Sequence, residues 1–208
     1  MNSGRFITLE GGEGVGKTTC IEAVAERIRA WGREVVVTRE PGGTQLGEGL
    51  RALLLHSEHV TVEAELLMMF AARVQHVQEL IWPALARGCW VVSDRFTDSS
   101  YAYQGGGRGV PAATLRFLER LLPGALQPDL TLLLDAPVEV GRARVLARGG
   151  TDRFESEALA FQERVRDAYL ERAAAFPERI VVIGASGPAD AVRSHLLAAL
   201  EQRCASWF

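Results

Sequence analysis

Residues Gly11-Gly12-Glu13-Gly14-Val15-Gly16-Lys17-Thr18 fit the spacing G-x-x-x-x-G-K-[ST], and no other stretch restricts the possible folds as strongly. Phe6-Ile7-Thr8-Leu9 before it reads as a short buried strand. Thr18 to Ile28 after it reads as an amphipathic helix, with Ile21, Val24, Ala25 and Ile28 on one face. Glycines let the backbone curl until its N–H groups converge on an anion, and the helix N-terminus adds partial positive charge. In that geometry Lys17 reaches terminal phosphates, Thr18 offers a hydroxyl to Mg²⁺, and Thr19 follows in the first turn. Lys17 is the only lysine among the 23 Lys+Arg residues. A glycine-rich turn carrying an exposed lysine would account for the composition, but not for the order strand, loop, helix.

With 208 residues the chain suits one domain, 1–208, large enough to bury a core. A net charge of −3 excludes a molecule-wide nucleic-acid surface, so phosphate binding must come from local arginines. The segment Met1 to Arg5 carries no apolar signal and no stretch reaches membrane-spanning length, which points to a cytoplasmic protein without membrane contact. Cys20, Cys89 and Cys204 are scattered without metal-ligand spacing and read as reduced, mostly buried thiols.

The rest of the chain alternates. Strands are expected at Arg33–Thr38, Cys89–Ser93, Leu130–Leu134 and Arg179–Ile183. Helices are expected at Leu46–His56 with Leu50, Leu53 and Leu54 inward, and at Val62–Ala86 with Leu66, Leu67, Phe70, Val74 and Val77 as its stripe. Pro83 would kink the end of the second. Further helices are expected at Pro111–Leu122, Val138–Ala147, Ser156–Ala175 and Ala189–Arg203, and Gly105 to Gly109 reads as a flexible or tightly turned loop. Strands alternating with helices imply right-handed crossovers, hence an α/β fold. The expected fold is a P-loop NTPase-type five-stranded parallel sheet with helices on both faces.

Chemistry-bearing residues gather where strands end. Arg39-Glu40-Pro41-Gly42-Gly43 follows the second strand, at the edge where open α/β sheets bind ligands. Asp94-Arg95 ends the third; there an acid can hold Mg²⁺ directly or through water, and an arginine can pair with a second phosphate. A salt bridge capping the strand would be a plainer role for the same pair. Ser99, Ser100, Tyr103 and Gln104 form an aromatic and amide-rich segment suited to a planar hydrogen-bonding ligand. Arg142, Arg144, Arg148 and Arg153 flank a glycine pair, the pattern of a flap over phosphates at about 148–155.

Taken in order, these motifs resemble the thymidylate kinase (dTMP kinase) family of P-loop nucleoside monophosphate kinases over nearly the whole chain. The resemblance rests on the Glu13-containing loop, Thr38 to Thr44, Phe70-Ala71-Ala72-Arg73, Asp94-Arg95-Phe96, Ala102 to Gly109, and Asp152-Arg153-Phe154-Glu155. It implies transfer of phosphate from ATP to dTMP with Mg²⁺, and a homodimer. By resemblance Gly11 to Thr19 hold ATP, with Arg142 against the adenine. Thr18 and Asp94 serve the metal, and Glu13 contacts the deoxyribose 3′ region. Arg51 and Arg95 grip the dTMP phosphate with Arg39, Glu40 and Pro41 close by. Arg73, Ser100 and Gln104 line the thymine pocket, with Ser99 also binding substrate, either Met69 or Phe70 packs on the base, and Tyr103 sits under the sugar. Some members carry an arginine in the phosphate loop; here that position is Gly14, so the lid arginines Arg148 and Arg153 join Lys17, Asp94 and Arg95 as the expected catalytic groups. A GTPase-type switch would need an N-K-x-D loop, which a chain with one lysine, already used, lacks. A kinase acting on another nucleotide would share this fold. Intact Lys17, Thr18, Asp94 and Arg95 speak against an inactive relative.

Overall fold

The computed structural model describes residues 4–149 and 152–208. The expected lid segment includes residues 150 and 151, which lie outside the described residues. Strands β1 Phe6–Glu10, β2 Val35–Arg39, β3 Trp90–Asp94, β4 Leu130–Asp135 and β5 Ile180–Gly184 form one sheet. All neighbours are parallel, in the order β2-β3-β1-β4-β5. The chain leaves β1 toward β2 and leaves β3 toward β4, in opposite directions across the sheet. The crevice beyond the carboxyl ends of β1 and β3 is therefore the topological switch point, where such sheets bind ligands.

Alternation along the buried strands divides the core. Ile7 and Leu9 pack with Val24 and Ile28 of α1 (Lys17–Ala30) and with Leu196 and Leu200 of α9 (Ala189–Cys204). On the opposite face Phe6 meets Val77, Ile81 and Phe96. There Leu133 and Ile180 meet Phe161, Val165 and Tyr169 of α8 (Leu159–Ala175), a run at four-residue spacing. Helices α2 (Gln45–His56), α3 (Val62–His76), α4 (Trp82–Ala86), α5 (Thr97–Ser100), α6 (Ala112–Glu119) and α7 (Val138–Arg148) complete the chain. Cys20, Cys89 and Cys204 are free and buried.

Three expectations need correction. The pattern from Val62 to Ala86 is not one helix: a π-helical turn, Val77–Ile81, separates α3 from α4. Pro83 lacks an N–H to continue the regular ladder, and the widened turn lies immediately before it. Leu53 and Leu67 do not face inward; they are 54% and 60% exposed. A helix rotates about 100° per residue, so Leu54 and Leu66 take the core side and their neighbours turn away. Gly105 to Gly107 are not loop but the end of a second π-helical segment, Tyr101–Gly107. A Cβ at Gly106 would lie 2.5 Å from the Ala168 Cβ, and one at Gly107 2.5 Å from the Phe161 ring, so these glycines admit α8 rather than provide flexibility.

Candidate active site

The loop between β1 and α1 is shaped by Gly11, Gly14 and Gly16, with φ of 140°, 70° and 97°. These are left-handed values that a side chain would oppose. Gly16 caps α1, so Lys17 begins the helix with its amine directed back over the loop. Lys17 Nζ donates to the carbonyls of Gly11 (3.0 Å) and Gly12 (2.8 Å). Burial and Arg95 hold the amine below its usual range, against the pull of Glu13, Asp94 and Glu10.

Above this loop is a cleft of about 670 Å³. Glu13, Gly14, Gly16, Lys17, Thr18 and Thr19 form one wall, Arg39, Glu40, Pro41 and Arg51 another, and Asp94, Arg95, Ser99 and Tyr103 the floor between them. Met69 also lines the cleft, whereas Phe70 does not; its ring lies against the Arg73 guanidinium at 4.9 Å.

Arg95 is the hub. It has φ of 71°, unusual for a residue with a side chain, in the turn immediately after β3. Its backbone N–H donates to Leu9 O at 3.0 Å, which joins the turn to β1. Nη1 donates to Gly11 O (3.0 Å), Tyr169 Oη (3.0 Å) and Ser99 Oγ (3.3 Å). Nη2 donates to Glu13 Oε1 (2.6 Å) and Tyr103 Oη (3.0 Å). Burial would raise the Glu13 carboxyl, but Arg95, then Lys17 and the Tyr103 hydroxyl, hold it below the usual range.

Asp94 ends β3 with Oδ1 buried and unpartnered. With the Thr18 hydroxyl on the same cleft it forms a hard-oxygen pair, which fits Mg²⁺.

Behind the cleft lies a fully buried polar layer. Arg73 donates to Glu40 Oε2 (2.6 Å), Ser100 Oγ (2.9 Å) and Phe96 O (3.0 Å), and His76 joins the other oxygen of Glu40 at 2.9 Å. Gln104 pairs with Glu65. Arg73, Ser100 and Gln104 therefore adjoin the cleft without lining it. Arg51 donates to Pro41 O at 2.9 Å, and Arg39 pairs with Glu48 at 2.8 Å.

The arginines after β4 separate. Arg148 lines the cleft and pairs with Glu155. Arg153 does not enter it: Nε donates to Leu54 O (2.8 Å) and Nη1 to Glu65 Oε2 (2.8 Å), which ties the segment after the glycine pair to α2 and α3. Its guanidinium finds a buried carboxylate and a free carbonyl there, a stronger environment than open solvent over the cleft. Arg142 is exposed and borders a smaller cavity of about 140 Å³ under the loop, with Gly11, Gly12 and Val15. Arg144 instead lines the main cleft, and it clasps the turn after β5 by donating to the carbonyls of Ala185 (2.9 Å), Ser186 (3.4 Å) and Gly187 (3.2 Å). Sequence reasoning favoured Arg142, although Arg144 and Arg148, four residues apart, share one helical face.

Glu10, Glu65, His76 and Tyr169 were also missed. For Tyr169 the signal was available, since it belongs to the four-residue repeat that buries α8. Glu10 accepts from Phe96 N (2.7 Å), Ser99 Oγ (2.6 Å) and Tyr169 Oη (2.9 Å). Burial, with Asp98 adding to it, pushes its carboxyl from 4.5 up to about 7, against Ser99, Arg95 and Tyr169. Between these values the folded chain keeps a proton that the unfolded chain has released, so stability falls as pH rises through this window and the loss is complete above it. The melting temperature of a Glu10→Gln variant is expected to vary less from pH 4.5 to 7 than that of the wild type. Parallel pH profiles of the two proteins would refute this.

The chain is similar to proteins named thymidylate kinase. A family model described as thymidylate kinase matches residues 9–196. The thymidylate kinase of Methylococcus capsulatus is 56% identical over 194 residues, covering 93% of each chain. That of Chromohalobacter salexigens is 55% identical over 211 residues, covering 100% of each. The crystal structure of thymidylate kinase from Ehrlichia chaffeensis superposes with a TM-score of 0.78 at 32% identity, over 95% of this chain and 99% of that one. Given a phosphate loop, Arg95 in the turn after the neighbouring strand β3 and similarity along almost its entire length, the chain belongs to the thymidylate kinase family.

Proposed function

We propose that this chain transfers the γ-phosphoryl group of ATP to dTMP, yielding ADP and dTDP. The observation that carries the reading is the contact between Arg95 Nη1 and the carbonyl of Gly11 at 3.0 Å. A cation suited to an acceptor phosphate thereby touches the loop suited to donor phosphates. Holding two phosphates in line is most of what phosphoryl transfer requires, since the acceptor oxygen is already anionic and needs no strong base. Arg95 and Arg51 hold the acceptor, with Arg39, Glu40 and Pro41 closing that side. The loop amides and Lys17 hold the donor, and Arg148 brings further positive charge to the transferring group. Mg²⁺, held by Thr18 and Asp94, would offset charge on the donor phosphates. Glu13 and Tyr103 meet the sugar, Met69 packs on the base with Ser99 on the cleft floor beside it, and Arg73, Ser100 and Gln104, buried directly behind that floor, are the polar groups the base would reach. Arg144 and Arg142 border the space for adenine.

No helix among the described residues is long and apolar enough to cross a membrane. Leu53 on α2, Leu67 on α3 and Phe117 on α6 are each more than half exposed, and a second copy of the chain in a homodimer would cover them.

The test is ADP formation by the purified protein with ATP, Mg²⁺ and a panel of nucleoside monophosphates. Strong preference for dTMP is expected. Preference for another monophosphate would overturn the base reading alone, and ATP turnover indifferent to any acceptor would overturn the reaction.

A further inference from the structure

Glu65 lies on the buried side of α3, 1% exposed, and belongs to none of the phosphate contacts. Its Oε1 accepts from Gln104 Nε2 at 2.8 Å. Its Oε2 accepts from Arg153 Nη1 at 2.8 Å and Arg108 Nη2 at 3.2 Å, and Arg108 is steadied in turn by Glu157 at 2.6 Å. Gln104 is wholly buried, and its own Oε1 has no partner in the protein.

A carboxamide fits its site either way round, because its oxygen and nitrogen have nearly the same shape. Beside a carboxylate the two orientations are far from equivalent. With NH₂ toward Glu65 a hydrogen bond to an anionic acceptor forms; with oxygen toward Glu65 two acceptors face each other, and Glu65 Oε1 keeps only a long contact from Arg108 Nε at 3.5 Å. Glu65 thus commits the NH₂ group, and an oxygen acceptor is what Gln104 has left to offer. The two guanidiniums keep the carboxylate in place while it does so.

We propose that Glu65 is a positioning residue for specificity. It fixes the Gln104 carboxamide so that the pocket presents an acceptor to the base, selecting a pyrimidine with N–H at ring position 3 and refusing one with a lone pair there. Thymine has that N–H, and cytosine has the lone pair. A base of the second kind would set lone pair against lone pair and leave the buried Gln104 oxygen unpaired, the kind of mismatch on which large discrimination rests. The proposal rests on the reading of Gln104 as a base contact.

The test compares kcat/KM for dTMP and dCMP in the wild type, Glu65→Gln and Glu65→Asp, with thermal unfolding as the check on folding. In Glu65→Gln the neighbouring amide can donate or accept, so Gln104 is free to turn. The dTMP-to-dCMP ratio is expected to fall at least tenfold, while Glu65→Asp, which keeps the carboxylate, stays nearer the wild type. A folded Glu65→Gln protein with the wild-type ratio overturns the proposal. A second measurement needs no variant: the 3-deaza analogue of dTMP, with C–H in place of N3–H, is expected to bind the wild type at least tenfold more weakly than dTMP. Equal binding overturns the proposal even if Glu65→Gln fails to fold. A wild-type chain without preference for dTMP overturns the base reading, and this inference with it; preference for dTMP with either negative result overturns the inference alone.

Discussion

Replacing Arg95 with alanine is expected to lower kcat/KM for dTMP by about a thousandfold or more, equivalent to about 4 kcal/mol of transition-state stabilisation. The side chain is only 14% exposed, and five groups fix its guanidinium: Gly11 O, Ser99, Tyr169, Glu13 and Tyr103. A cation held so firmly meets an acceptor phosphate with little reorganisation, and its loss leaves the phosphate to more mobile arginines such as Arg51 and Arg39. Alanine isolates that contribution because it retains a Cβ. The backbone cost of φ at 71° is the same in both proteins, so the difference reports the guanidinium and not relief of strain. Glu13 keeps Lys17 as a nearby cation, and the strands on both sides of the turn are unchanged, so turnover should suffer far more than folding. Steady-state kinetics beside a thermal melt decide the matter, and normal turnover in a folded variant would sink the assignment.

What could be read from the sequence followed from local rules. The glycine spacing around Lys17, the β-branched runs and the punctuation by Gly and Pro are properties of adjacent residues, and they placed every strand and the cleft's main walls. Ser100 and Gln104 were legible as part of an amide-rich segment suited to a planar ligand, whereas Arg73 joined them only by family resemblance, because it comes from α3 and meets that segment only in space. Contacts between distant segments were not legible. Glu65 resembles any surface glutamate until Gln104, Arg108 and Arg153 converge on it, and Arg153 resembled a phosphate ligand because its partners, Leu54 and Glu65, lie 99 and 88 residues away. The glycines at 105 to 107 show the same limitation. Their permissiveness suggested a loop, whereas their use is to let a π-helical segment lie against α8, which only the packing reveals.

Gly141→Ala is expected to lower kcat/KM for ATP by about a hundredfold, at a stability cost of about 1–3 kcal/mol. α7 crosses the phosphate loop by a contact between glycines: a Cβ at Gly141 would lie 2.3 Å from the Glu13 carbonyl oxygen, and one at Gly14 would lie 2.1 Å from the Gly141 carbonyl oxygen. Both obstacles are backbone, so neither can turn aside and the helix must move off the loop by about 1 Å, a displacement sufficient for such a loss when positioning drives the reaction. That shift carries Arg144 and Arg148 away from the cleft they line. The contact also bears on where this chain finds its positive charge. A side chain at position 14 cannot coexist with α7 in this place, so an arginine in the phosphate loop is excluded on steric grounds, and charge has to come from the end of α7 at Arg148. Gly49→Ala serves as the control: it lies within α2 with open space around it, and the better helix propensity of alanine should add about 0.5–1 kcal/mol with no effect on turnover. If Gly141→Ala keeps wild-type kinetics for ATP while dTMP binding also stays unchanged, the close approach of α7 is incidental and Arg144 and Arg148 work without it.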